Sequence, residues 1–309
     1  AQRAKNIADE AEYDAEIQKI YKRMLSNTQK EIDAFYGKYA TKEGISMAEA
    51  KKRVDKLDIE AYSEKAKKYV ANRDLSPRAN EEMRLYNLTM KVNRLEMLKA
   101  NIGMKLVDGF SDLDEKFKKN LTTRTQDELE RQAGILGKTV KNPSAMADSI
   151  VNASFNNATF SQRIWSHQDL LKSELNKQLQ SGLIAGKNPR DLARSIQRVF
   201  GSSTYNAERL MRTELARVQT DAQAQSYERN GFAEYEFLAL GSSACEICRA
   251  LDGKHFKVDK MLPGENAPPM HPNCRCSTAP YYGDEDELHI FEPDKSEMAE
   301  DEKVDKKKK

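Results

Sequence analysis

Apolar residues recur at helical spacing through most of this chain. Near the start, Ile7, Ala11, Ile17, Tyr21, Met24, Ile32, Phe35 and Tyr39 fall at roughly that spacing, with charged residues between them. This pattern predicts a long amphipathic helix. Ser46 followed by Glu49 has capping-box spacing, and the amphipathic run AEAKKRVDKLDIEAYSEKAKKYVANR continues from it. Ser76-Pro77 sets a capping hydroxyl before a first-turn proline, which opens a further helix through RANEEMRLYNLTMKVNRLEMLKANIGMKLV. The first half is therefore expected to be a helical bundle or an elongated helical arm.

The stretch GILGKTVKNPSAM, residues 134–146, gathers Gly, Lys, Asn and Pro and predicts a hinge. It is not a phosphate loop, because GILGKT lacks the spacing of that motif. Beyond it, FSQRIWSHQDLLKSELNKQLQSGLIAG reads as a helix ending near Gly182 or Gly186. Asn188-Pro189 opens a short helix, PRDLARSIQRVF, with Gly201 as its expected stop. NAERLMRTELARVQTDAQAQSYERN is a further helix stopped by Gly231. The pattern then changes to period two. AEYEFLAL (233–240) alternates and predicts a strand, HFKV (255–258) a second, and CRCSTAPYY a third. The last 26 residues carry little to bury and are expected to be disordered.

Composition narrows the function classes. Of the 309 residues, 39% are hydrophobic and 32% charged, and no run approaches the ~20 apolar residues of a membrane span. The opening AQRAKNIADEAEYDAE lacks the apolar core of a secretory signal. The net charge of +2 divides unevenly, as +7 over residues 1–283 and −5 over 284–309. A mildly basic body is compatible with nucleic acid, but no dense basic stripe demands it.

All four cysteines lie in the segment from Cys245 to Cys276. Cys245 and Cys248 form C-x2-C, a turn that can aim two thiolates at one point; His271, Cys274 and Cys276 form H-x2-C-x-C. Zinc takes four ligands and this segment offers five. In an extended segment Cys274 and Cys276 share a face, so four thiolates are available; His271 competes for a place. Two disulfides or four unrelated thiols are the alternatives. Nothing in the sequence points to export, and the clustering argues for a common cause. A closed local set favours a structural ion over a catalytic one, which keeps an open position. Glu246, Asp252, His255 and Glu265 are the nearby acid–base candidates, and none stands in a recognised catalytic pattern. His255 reads as a surface or packing histidine. His167, near Trp165 on a helix, and His289 in the tail have no partner in the sequence.

The arrangement RTELARVQTDAQAQSYERNGFAEYEFLALGSSACEICRALDGKHF…PPMHPNCRC resembles the C-terminal domain of the phage head morphogenesis proteins, the Mu F-like minor capsid proteins of tailed phages. Arg212-Thr213-Glu214, Leu251-Asp252-Gly253-Lys254 with Phe256, and His271-Pro272-Asn273-Cys274-Arg275-Cys276 carry the resemblance, which covers roughly 160–282. It implies a virion protein inside the capsid near the portal vertex, made in the host cytoplasm. The expected partners are the portal protein, other capsid or scaffold proteins and phage DNA. It also implies a metal-binding Cys/His motif and no enzymatic activity. Arg212 and Glu214 read as an exposed or interdomain salt bridge, or as residues that buttress the metal module or contact the portal.

The expected fold is α+β and mostly helical. Residues 1–135 form a helical N-terminal region, and 145–283 a Mu F-like domain with a small sheet and a zinc-clamped module at 241–283; 284–309 form a charged tail. The expected function is a portal-associated minor capsid protein aiding head assembly and genome packaging or ejection. The alternatives are a DNA-binding ejection protein and a zinc-dependent hydrolase or nuclease.

Overall fold

The structure, a computed structural model, describes residues 2–39, 68, 77–138, 142–184 and 189–283. The Ser46–Glu49 capping box, the amphipathic run beyond it and the tail at 284–309 lie outside these residues. Among these residues the long helical elements are α1 (Gln2–Tyr39), α2 (Pro77–Leu136), α3 (Pro143–Val151), α4 (Phe160–Ile184) and α5 (Pro189–Arg229). Strand β1 (Glu234–Leu238), the short helix α6 (Glu246–Leu251), β2 (His255–Lys257) and β3 (Ser277–Tyr281) follow. The α+β, mostly helical class is what the periodicity predicts.

Helix α2 packs against α1, α3, α4 and α5, and α5 against α1 and α4. One apolar core joins all five, running through Ile17 and Met24 of α1, Phe110 and Phe117 of α2, Val151 of α3, Leu175 of α4, and Ile196 and Val218 of α5. The first-half helices thus share their core with the second half. No helix among the described residues is long and apolar enough to cross a membrane.

Local chemistry sets the helix ends. Asn142 caps α3 by accepting the Ala145 amide at 3.2 Å, with Pro143 in the first turn. Thr159 and Gln162 form a reciprocal capping box at the start of α4. Helix α5 stops where Gly231 takes a φ of +78°. There the Phe232 amide donates to the Tyr227 carbonyl at 3.0 Å and the Gly231 amide to Glu228 at 3.1 Å. The two rings of Phe232 and Tyr227 meet edge to face, which completes a Schellman end.

Two expectations need correcting. Gly201 does not stop a helix: α5 runs through it as one helix of 41 residues. A helical glycine costs about 1 kcal/mol. The buried stripe Leu192, Ile196, Phe200, Ala207, Leu210, Met211, Leu215 and Val218 continues on both sides of it. Each large side chain there gains about 1.5–3 kcal/mol, so the stripe outweighs the glycine. The third strand begins at Ser277, leaving Cys274 and Cys276 outside it. The reason lies just upstream, where Asn273 takes a φ of +65° in a turn closed by the Cys274 amide on the His271 carbonyl at 3.0 Å.

The sheet is antiparallel throughout, in the order β2-β1-β3. Tyr235 and Phe237 alternate inward along β1 and are fully buried. Tyr235 joins Tyr227, Phe232 and Val258 in one small core, while Phe237 joins Cys248 and Cys274 in another. The sheet therefore links the end of α5 to the cysteine cluster.

Candidate metal centre

Cys245 caps the first turn of α6, and its Sγ accepts the Cys248 amide at 3.5 Å. This local geometry turns the C-x2-C pair toward one point. Asp252 then accepts the Ala239 amide at 2.8 Å and closes the loop between β1 and α6. From the other side, the turn at Asn273 brings His271 and Cys274 back toward Cys248. The Cys248 Sγ lies 3.5 Å from His271 Nε2 and 3.9 Å from Cys274 Sγ.

The donor atoms form two trios that share Cys248: Cys245, Cys248 and His271, and Cys248, Cys274 and Cys276. Within each trio the donors lie within 4.8 Å of one another. A tetrahedral zinc with Zn–S of ~2.3 Å and Zn–N of ~2.05 Å sets S···S edges at about 3.8 Å and S···N edges at about 3.6 Å. The two distances from Cys248 match those edges, so the donor set fits a zinc ion. His271 Nδ1 lies 2.9 Å from the Pro272 carbonyl, and a proton donated there leaves Nε2 free to ligate. All four cysteines are free thiols.

Without an ion, the thiols polarise one another. The hydrogen bond from Cys276, then backbone amides, hold Cys274 down at about 5. The same pair, with burial, pushes Cys276 up. Burial and the neighbouring Cys274 push Cys248 up to about 12. The Cys248 amide lowers Cys245, and the Pro272 carbonyl raises His271. A cation among these groups would remove the need for retained protons, because ligating thiols are deprotonated.

The loop carrying His271 and the last two cysteines is fixed to two helices. Arg212 of α5 donates to Asn273 Oδ1 at 2.9 Å and pairs with Asp14 of α1 at 2.8 Å. The Asn273 amide donates to Thr213 Oγ1 at 3.2 Å. Arg275, between the two cysteines, points the other way and pairs with Glu10 of α1 at 2.6 Å.

Glu214 stands apart from the cysteines. It is buried, and pairs with Arg163 at 2.7 Å and with Arg217 at 2.7 Å. Arg217 also reaches Asp221 and the Ile150 and Val151 carbonyls, the last acceptors of α3. This network ties α3, α4 and α5 together. Sequence reading passed over Arg163 and Arg217, and it named Asn273 and Arg275 only within the motif that carries the resemblance, without a contact for either. The spacing of Glu214, Arg217 and Asp221 on one helix is the signal that could have found part of it.

The remaining acid–base candidates scatter. His255 stacks on Tyr281 with ring centroids 3.6 Å apart. Glu246 is exposed at the start of α6. Glu265, His167 and His271 line a cleft of about 1000 Å³ between α5, the 149–156 turn and the 261–272 loop. His289 lies outside the described residues.

Residues 173–279 match the family model described as Phage Mu protein F like protein. This segment is similar to the Mu F-like family. The match takes in the last 12 residues of α4, all of α5, β1, α6 and β2, the start of β3 and all five candidate metal donors. A comparison with curated proteins found no match, and one with solved structures found none.

Proposed function

We propose that this chain is a minor capsid protein of a tailed-phage head, seated at the portal, where it aids head assembly and genome packaging or ejection. The Mu F-like match over 173–279 carries this reading, because it supports a phage head morphogenesis-type protein. The fixed loop adds to it. Three contacts hold the 271–276 segment to α1 and α5, which suits a rigid docking piece better than a mobile catalytic loop. In this reading residues 145–283 form the docking domain, and the metal is structural. Cys248, His271 and Cys274 are three of its ligands, with the fourth from Cys245 or Cys276. Arg212 buttresses the loop, and Glu214 holds the helices beneath it.

Co-expression with the portal protein encoded by the same phage tests the reading. We expect the chain to co-elute with portal rings and to appear in assembled heads. Heads that form with a normal portal but lack the chain would overturn it. Cys245→Ser and Cys276→Ser compared for zinc content identify the fourth ligand. The hydrolase reading is favoured by one observation, that His271 lies on the wall of the large cleft. It requires chelator-sensitive hydrolysis of nucleic acid or peptide by the zinc-loaded chain.

A further inference from the structure

A second, smaller cleft of about 370 Å³ opens on the side of the fold where the chain leaves the sheet. Its walls come from the start of α1, the end of α2, the middle of α5 and strand β3. Three large apolar side chains in it are exposed: Ile7 at 44%, Ile135 at 61% and Leu238 at 38%. Scattered apolar residues on a surface mean little, but three in one concavity mark a binding surface. The charge is one-sided as well. Four arginines line the cleft against a single carboxylate, Glu10. Arg275 is already held by Glu10, Arg131 by Glu128 and Arg124 by Asp9, whereas Arg3 is exposed and has no acidic partner among the described residues. An occupant with apolar groups for the exposed trio and acidic groups for Arg3 fits these walls.

We propose that this occupant is the chain's own segment 284–294, DEDELHIFEPD. It carries six carboxylates and no lysine or arginine, and it sets Leu288, Ile290 and Phe291 among them. Its point of attachment is close by. Tyr282 packs against Phe232 with tilted rings whose centroids lie 4.3 Å apart, and Phe232 belongs to the small core against which Leu136, next to Ile135, is packed. Gly283 has a φ of +87°, a conformation that suits a change of chain direction. Leu288 lies five residues beyond it, within about 17 Å of extended chain. A tether this short gives an effective concentration on the order of millimolar, so weak contacts fill the cleft. Leu288, Ile290 and Phe291 match the apolar trio in chemistry, and the carboxylates match the arginine side. The tail thereby screens a sticky surface of the free protein, and a partner with a better acidic–apolar segment displaces it.

Hydrogen exchange of the full-length chain, read by mass spectrometry at low and high salt, tests the proposal. We expect the amides of 286–294 to exchange at least about tenfold more slowly than in the isolated peptide. The protection should shrink at high salt, since the arginine–carboxylate attraction is screened. It should be lost in Ile135→Glu and weakened in Arg3→Glu, two exposed positions where the fold tolerates change. Exchange of the wild-type tail at the free-peptide rate would overturn the seat. So would protection untouched by Ile135→Glu, which would place the tail elsewhere. Protection that rises with protein concentration would assign the tail to a second copy and overturn the intramolecular contact.

Discussion

Replacing Arg217 with methionine removes the centre of the most deeply buried charge network in the described residues. The Arg217 side chain is 2% exposed. It donates to Glu214 at 2.7 Å, Asp221 at 2.8 Å, and the Ile150 and Val151 carbonyls at 2.9 and 3.2 Å. Methionine keeps much of the stem's volume but none of these bonds. Removing one partner of a buried ion pair costs about 3–5 kcal/mol, largely because the other charge stays behind unpaired. Two features pull toward the lower end of that range. Glu214 keeps Arg163 at 2.7 Å, and Asp221 is 28% exposed and can be hydrated. A loss of about 3 kcal/mol follows, roughly 6 °C in Tm at ~2 °C per kcal/mol for a domain of this size. Differential scanning calorimetry reads it directly. Adding Glu214→Gln removes the stranded charge, so the double variant should lose at least about 1 kcal/mol less than the sum of the singles. A shift under about 2 °C for Arg217→Met, or strict additivity, would show that the network does not hold α3 to the bundle.

Other consequences are more local. Arg212→Ala leaves Asn273 and Asp14 without their shared partner, so the metal loop loosens. A chelator competition assay should show zinc held about 10–100-fold less tightly, with α-helical circular dichroism unchanged. His167 offers a pH test. Burial first, then the charges of Arg209 and Arg163, hold its pKa below the ordinary value. The unfolded chain then takes up a proton before the folded one as pH falls. The contribution of His167 to stability is therefore present above about pH 6.5 and is lost as pH drops below it. Urea midpoints at pH 7.5 and 5.5 should differ more in the wild type than in His167→Asn; equal differences would assign the pH dependence to other groups.

How much of this was legible in the sequence depends on the range of the interaction. Helices written by a repeating apolar stripe were readable, as were β1 from its alternation and the end of α5 from Gly231. Gly201 misled because a glycine's local cost is visible in sequence, whereas the packing that outweighs it is not. The five donors were legible as a cluster because their spacing is local to two short segments. What fixes that cluster was not. Arg275 meets Glu10, and Arg212 meets Asp14, across roughly the length of the described fold in sequence. Only the packing of α1 against α5 makes those partners neighbours. Glu214 was visible as a charged helix residue, but its burial depends on α3 and α4 closing over it. The same packing brings Ile7, Ile135 and Leu238 to one cleft, which no periodicity announces.

The most direct measurement is the zinc content of the purified full-length chain by native mass spectrometry, with thiol titration before and after chelation. We expect about one zinc per chain, with ligating thiols that react only once the ion is removed. A metal-free chain whose four thiols react at once, or whose cysteines are already paired as disulfides, would contradict a metal-clamped loop and the docking role built on it.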